Sequence, residues 1–319
     1  MLDLSQIKNI LVTGGAGFIG SNFLNEFVPK FPNINFINLD KLTYAADLNN
    51  IKVGDNQNYK FIQGDICDSK LLENIFESEK IDSVIHFAAE SHVDLSIKNP
   101  GIFVEANVVG TQKLLEKALK YEIKRFHHVS TDEVYGSLGE TGYFTEQTTL
   151  APNSPYSASK AGSDFLVRAY NETFGLNTTI SRCSNNYGPN QDKTKLIPSF
   201  ISKLKNNQKV PLYKDGKNVR DWLFVKDHVE AIWEIFMRAE SGSVYNIGGN
   251  NEKTNTEITR ILLESFAKDE SYIEFVKDRK GHDYRYAIDA SKIKNDLGWT
   301  PKYTFETGIK ETLNFYLAK

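Results

Sequence analysis

Cysteine is scarce in this chain: Cys67 and Cys183 are the only two among 319 residues, and they stand far apart. No C-x-x-C spacing exists, so neither a zinc ribbon nor a dithiol redox pair is expected, and a chain of this length needs no disulfide staples. Long apolar runs are also missing, since no stretch approaches the ~20 residues of a membrane span. Met1 to Gln6 has neither a basic start nor an apolar signal core, because a strand-like run already begins at Ile7. The expected setting is therefore a reducing cytoplasm. Charge of one sign is lacking too: 38 Lys and Arg against 41 Asp and Glu leave a net charge of −3. No broad field favours nucleic acid or an anionic membrane, so any anionic ligand must be held by local cations or backbone N–H groups. Adjacent His127 and His128 would point to opposite faces of one strand, which makes a poor chelate, and no metal site is expected.

What is present is an ordinary globular composition, 40% apolar and 25% charged, with no repeat, linker or low-complexity segment. Asn9 to Thr13 is a short apolar run ending in Gly14-Gly15-Ala16-Gly17-Phe18-Ile19-Gly20, and Ser21 to Lys30 continues at helical spacing. That is strand, glycine turn and helix. Glycines 14, 17 and 20 let the backbone turn, approach a pyrophosphate and pack helix on sheet, with the helix N-terminus facing the anion. A second strand, Ile34 to Leu39, ends in Asp40. A carboxylate there suits the adenosine ribose hydroxyls and repels a 2′-phosphate, which favours NAD over NADP. Tyr59 to Ile62 and Ile81 to Phe87 give third and fourth strands, closing in Gly64-Asp65-Ile66 and Ala88-Ala89. Asp65 could reach the adenine amine with Ile66 on its face, or it could cap the helix that follows.

A long amphipathic helix is expected from about 100 to 121, then a fifth strand over Lys124 to Ser130. Strands alternating with helices demand a doubly wound parallel (Rossmann) sheet, with ligands beyond the strand carboxyl ends. Ser154-Pro155 reads as an N-cap and first turn of a helix running to about Phe174, which places Tyr156 and Lys160 on one face. Asn185-Asn186-Tyr187-Gly188-Pro189 reads as a turn rich in amides. Beyond residue 190 the alternation breaks down, which suggests a smaller mixed α/β substrate-binding part over 191–319, partly interleaved with a cofactor-binding part over 1–190. Arg220 and Arg279 suit a diphosphate, because guanidinium offers paired donors.

Taken together, these motifs resemble the extended short-chain dehydrogenase/reductase superfamily and, within it, the nucleotide-sugar 4,6-dehydratases of the dTDP-glucose type. The glycine turn, Tyr156-x-x-x-Lys160 and Asn185 to Pro189 are shared across the superfamily. The discriminating stretch is Thr131-Asp132-Glu133-Val134-Tyr135-Gly136, supported by Ala88 to Asp94 and Asp278 to Asp283. Three positions depart from the family pattern: Ala106 in place of threonine, Lys280 in place of proline, and Ala46-Asp47 in place of Gly-Asn.

The resemblance implies that Tyr156 is the base for a sugar C4 hydroxyl, Lys160 its electrostatic partner and ribose anchor, and Thr131 a hydrogen-bonding group at that oxygen. Bringing a phenol of pKa ~10 to neutrality requires about 4 kcal/mol of preferential anion stabilisation. Oxidation at C4 acidifies C5–H, so Glu133 would remove that proton while protonated Asp132 donates to the departing C6 hydroxyl. Both carboxylates can serve one sugar only if the chain leaves the strand near Thr131. By the same resemblance Lys41, Thr43, Ser91 and Asn186 join Gly14, Gly17, Phe18, Ile19, Gly20, Asp40, Asp65, Ile66, Ala88 and Ala89 at a tightly held NAD. Ser91, Asn185, Lys195, Leu196, Pro211, Tyr213, Arg220, Asn255, Arg279 and His282 join Thr131 at the nucleotide sugar, and a homodimer is implied. UDP- or CDP-sugar dehydratases, nucleotide-sugar 4-epimerases or decarboxylases, and a non-catalytic NAD sensor are the alternatives. The epimerases need no acid and base side by side after Thr131.

Overall fold

The computed structural model describes residues 2–278 and 282–318. Apolar residues alternate between the two faces of the first strand, β1 (Asn9–Thr13): Ile10 and Val12 enter one core, Leu11 the other. The same two-sided burial holds for β2 (Asn35–Asp40), β4 (Ser83–His86), β5 (Arg125–Thr131) and β6 (Thr178–Cys183), with β3 (Tyr59–Gln63) at the edge. Such strands must be covered by helices on both sides. Helix α1 (Phe18–Lys30) lies on one face. On the other lie α2 (Ser69–Ser78), then α3 (Val93–Lys98) and α4 (Pro100–Phe103) leading to α5 (Thr111–Lys120), and α6 (Pro155–Phe174).

The chain continues through β7 (Asn185–Tyr187), α7 (Leu196–Lys205), β8 (Val210–Tyr213), β9 (Val219–Phe224), α8 (Val225–Arg238), β10 (Val244–Ile247), β11 (Glu252–Thr254), α9 (Asn255–Ser265), β12 (Ile273–Val276), α10 (Ser291–Leu297) and α11 (Phe305–Leu317). Seven parallel strands run in the order β10-β6-β5-β4-β1-β2-β3. The order reverses between β1 and β4, so the crevice for a ligand opens there. A three-stranded sheet, β11-β9-β7, and the pair β12-β8 build the smaller part around Tyr187, Phe200, Trp222 and Phe305.

Residues 191–319 do not form a body apart from the first 190. Helix α8 packs Trp233 on Phe27 of α1, ring centroids 4.8 Å apart, and β10 pairs with β6 from Val244↔Ile180 to Ile247↔Cys183. Two local expectations are corrected. Asn185 to Tyr187 is a strand paired with Trp222 to Phe224, because a distant partner supplies its hydrogen bonds. The helix expected over 100–121 widens to a π-helical segment at Val104–Gly110, where Asn107 turns inward. No helix among the described residues is long and apolar enough to cross a membrane.

Candidate active site

One cavity of about 480 Å³ runs along the carboxyl ends of β1 to β6. The glycine turn forms one end of it, held by β2: Asn38 Oδ1 accepts from Gly15 N at 3.0 Å, and Asp40 Oδ2 accepts from Ala16 N at 2.9 Å. A Cβ on Gly20 would lie 2.4 Å from Gly14 O, and one on Gly14 would lie 2.6 Å from Ala88 N, so only glycine allows this packing. The open N–H groups of α1 then face the cavity. At the end of β3, Asp65 Oδ2 pairs with Lys41 Nζ at 2.6 Å and Oδ1 accepts from Cys67 N. Asp65 does not cap α2; Asp68 does, because its carboxylate is in register with Lys70 N and Leu71 N.

The shape and donor set suit a dinucleotide. Gly17, Phe18, Ile19, Asp40, Lys41, Thr43, Asp65, Ile66, Ala88, Ala89, Ser91 and Asn186 all line the same cavity as Tyr156 and Lys160. Its volume lies within the ~300–1,000 Å³ of known ligand sites. Ala106 also lines it and offers no hydroxyl there.

The reactive end is built by β5 and α6. Strand β5 stops at Thr131, and Asp132–Tyr135 turn as a short 3₁₀ helix capped by the Thr131 hydroxyl. This exit from the strand brings two adjacent carboxylates, Asp132 and Glu133, to the lining of one cavity. Gly136, at φ 90°, ends the turn, where a side chain would meet Ala151 O. On α6, a Ser154–Ser157 capping box fixes the first turn, and Tyr156, Lys160, Ser163, Asp164 and Val167 are buried at helical spacing.

Asp132 is only 1% exposed, and burial, with the negative charges of Glu133 and Asp221, pushes its carboxyl well above the usual range. Burial thus favours its protonated form. Glu133, half-buried, lies beside it. The Tyr156 phenol is also raised, by burial and then by Glu133 and Cys183, against a hydrogen bond with Thr131. Burial and neighbouring negative charge thus favour the neutral phenol.

Lys160 lines the same cavity as Tyr156. Its Nζ donates to Val129 O at 2.8 Å and lies 3.3 Å from His128 Nε2, and burial brings its pKa down to about 8. Behind it, His128 Nε2 is 3.5 Å from Asp164 Oδ1, and Arg182 Nε donates to Asp164 Oδ2 at 2.8 Å.

Sequence reasoning missed Asn38, His128, Asp164, Cys183 and Asn107, whose side chain bonds Glu90 N, Glu90 O and Ser159 Oγ. A polar residue inside an apolar strand was the available signal for Asn38 and His128. Among the residues expected at the sugar nucleotide, Ser91, Thr131, Asn185 and Lys195 line the cavity. Leu196, Pro211, Tyr213, Arg220, Asn255 and His282 lie outside its lining, and Arg279 and Lys280 lie outside the described residues. Arg220 is buried, donating to the carbonyls of Val219, Tyr284 and Asp283 and stacking 4.3 Å from the Tyr286 ring. His282 Nδ1 meets Asp278 Oδ1 at 2.6 Å, and its ring stands edge-on to Tyr213. Among the described residues no group of three His, Cys, Asp or Glu is arranged to hold a metal.

A family model described as GDP-mannose 4,6 dehydratase matches residues 11–312. The chain belongs to this family. Within the dehydratase family it is 51% identical to the dTDP-glucose 4,6-dehydratase of Xanthomonas campestris pv. campestris (strain B100), over 97% of this chain and 93% of that one. Its fold matches the solved dTDP-glucose 4,6-dehydratase of Streptomyces venezuelae with NAD bound, at a TM-score of 0.95, 46% identity, and 98% and 97% coverage of the two chains. The Bacillus anthracis str. Ames dTDP-glucose 4,6-dehydratase, in complex with NAD, matches at a TM-score of 0.92 and 48% identity, with 98% and 97% coverage.

Proposed function

We infer that this chain converts dTDP-glucose into dTDP-4-keto-6-deoxyglucose and water, with NAD held at the glycine turn and Asp40. The observation that carries the reading is the adjacent pair Asp132 and Glu133, one enclosed with its carboxyl raised, one partly open, lining a single cavity with Tyr156. Tyr156 takes the C4 hydroxyl proton, with Thr131 and Lys160 beside it. Once C4 is a ketone, Glu133 takes the C5 proton and Asp132 protonates the departing C6 hydroxyl. NAD, held along the glycine turn and Asp40, would supply the hydride chemistry at C4 and C6. Glu133 then returns its proton to C5.

The thymidine nucleotide rather than the GDP of the family's description is supported by the relatives at about half identity. Arg220, Tyr213, Asn255 and His282, with Leu196, Pro211 and Arg279, form the proposed nucleotide-diphosphate end. The influence of the Asp221 and Arg220 charges on the buried Asp132 carboxyl supports a position for that end near the carboxylates.

Purified protein incubated with dTDP-glucose, without added reductant, should yield the alkaline ultraviolet absorbance of a 4-keto-6-deoxy sugar. No product from dTDP-, UDP- or CDP-glucose rejects the dehydratase reading, whereas faster turnover of the UDP or CDP sugar reassigns the base.

The active form in this proposal is a cytoplasmic homodimer. Exposed Ile97, Val104 and Phe165 on α3, the π segment and α6, which pack on one another, support an apolar pairing face. A monomer by light scattering at micromolar concentration rejects the dimer.

A further inference from the structure

The oxidation and the elimination proposed above draw on different elements. Tyr156 and Lys160 stand on α6, whereas Asp132 and Glu133 stand on the 3₁₀ turn that follows β5. A C4 hydroxyl can be oxidised against the helix, but a sugar held there is dehydrated only if the turn keeps both carboxylates at C5 and C6. The spacing between turn and helix therefore governs the second half of the reaction. A four-residue 3₁₀ turn has poor hydrogen-bond geometry of its own and needs outside anchors to hold such a spacing.

The near end of the turn is fixed by β5, whose Thr131 is in register with Cys183 and accepts from Glu133 N at 3.3 Å. In the middle, Val134 O accepts from Ala151 N at 3.0 Å. The far end is Tyr135, 3% exposed, with its ring stacked on Phe144 at 5.0 Å. Arg182 Nη1 donates to the Tyr135 hydroxyl at 2.9 Å, and that hydroxyl donates to Asn246 Oδ1 at 2.8 Å. The orientation of the Asn246 amide is fixed, because its Nδ2 donates to Phe144 O at 3.1 Å and to Asp289 O at 3.4 Å. Through its Nε the same Arg182 donates to Asp164 Oδ2 at 2.8 Å, and Asp164 belongs to α6, one turn beyond Lys160. One guanidinium thus spans from the helix of Tyr156 and Lys160 to the last residue of the carboxylate turn. Arg182, Asp164 and Tyr135 are all buried, where charge-assisted hydrogen bonds are strong.

We propose that Tyr135 is a positioning residue for the elimination: its hydroxyl, clamped between Arg182 and Asn246, sets the carboxylate turn at a fixed distance from α6. Tyr135 is absent from the cavity lining, so it acts through Asp132 and Glu133. This proposal rests on the dehydratase reading.

The test follows reduced nicotinamide by stopped-flow absorbance, together with product formation, when dTDP-glucose is mixed with the NAD-loaded protein or its Tyr135→Phe variant. Phenylalanine keeps the ring and removes the hydroxyl. Cofactor reduction should stay within about twofold of the unmodified rate while product formation falls about 10-fold or more, since a displacement of about 1 Å at a reacting group can cost about 100-fold. Reduced nicotinamide should therefore accumulate in the steady state. A purely structural role would lower the unfolding temperature and leave the balance of the two steps in the folded protein unchanged. Ile75→Ala, in a core cluster that does not include Tyr135, supplies that comparison and should accumulate no reduced nicotinamide. Asn246→Ser, which withdraws the acceptor and leaves Arg182 its bond to Tyr135, should accumulate it, and decides the matter if Tyr135→Phe does not fold. Equal losses of cofactor reduction and product formation, or a folded variant with no added reduced nicotinamide, overturn the positioning role. Absence of product from the unmodified protein instead removes the dehydratase reading beneath it.

Discussion

Arg182 Nε donates to Asp164 Oδ2 at 2.8 Å, and the pair is enclosed beneath the helix face that presents Tyr156 and Lys160. Burial alone would raise the Asp164 carboxyl, but His128, Arg182 and Lys160 hold it below its usual value. Removing one partner of such a pair strands the other charge. Asp164→Ala should destabilise the protein by about 3–5 kcal/mol, read as a lower urea midpoint with unchanged slope. A loss under about 1 kcal/mol would show that water reaches Arg182.

The two carboxylates should separate oxidation from elimination. Asp132→Asn and Glu133→Gln should each lower product formation by about 10²–10⁴-fold while near-ultraviolet absorbance of reduced nicotinamide accumulates on adding sugar nucleotide. Tyr156→Phe should lose product without that absorbance. Normal turnover by either carboxylate variant would overturn the proton assignments.

Glycines 17 and 20 should fail in different ways. A Cβ at Gly20 meets Gly14 O at 2.4 Å, so Gly20→Ala strains the turn itself and should cost about 1–3 kcal/mol of stability. At Gly17 the Cβ meets only Gly14 O, at 3.2 Å, and faces the cavity. Gly17→Ala should keep stability within about 0.5 kcal/mol and weaken NAD binding roughly tenfold or more. Thermal unfolding with and without NAD distinguishes the two.

Acid should act through the buried histidines. His228, fully enclosed against Asn186, has its pKa pushed from 6.5 down to about 3 by burial. The unfolded chain binds this proton first, so the contribution to stability is complete above pH 6.5 and falls as pH drops toward about 3. His228→Gln should flatten the fall of unfolding free energy with acid by up to about 1.4 kcal/mol per pH unit in that window. Parallel curves for the two proteins would mean that His228 is not neutral in the fold.

Much of the frame was legible in sequence because its signals are local. Ile10, Leu11 and Val12 announce a strand buried on both faces, Ser154-Pro155 starts a helix, and the carboxyl ends then fall in one row. What escaped depends on partners far along the chain. Asn185 to Tyr187 has turn composition, yet β9 pairs with it. Val104 to Gly110 keeps helical composition, and nothing in it announces the wider turn around Asn107. The reactive residues were readable as chemistry, but not the carbonyl that Lys160 uses, nor the three carbonyls that enclose Arg220.

Strand β10 shapes what motion remains possible. Four residues from the second half of the chain are laced by parallel register to β6, the strand that leads into Cys183 to Asn186 at the cavity floor. The two walls of the crevice therefore share one sheet, and a rigid swing of one half against the other would have to tear that ladder. Admission of a sugar nucleotide must fall to the loops at the rim. A fragment cut after residue 190 would expose the backbone of β6 as a sticky edge, so the halves of this protein are separable by sequence but not by scissors.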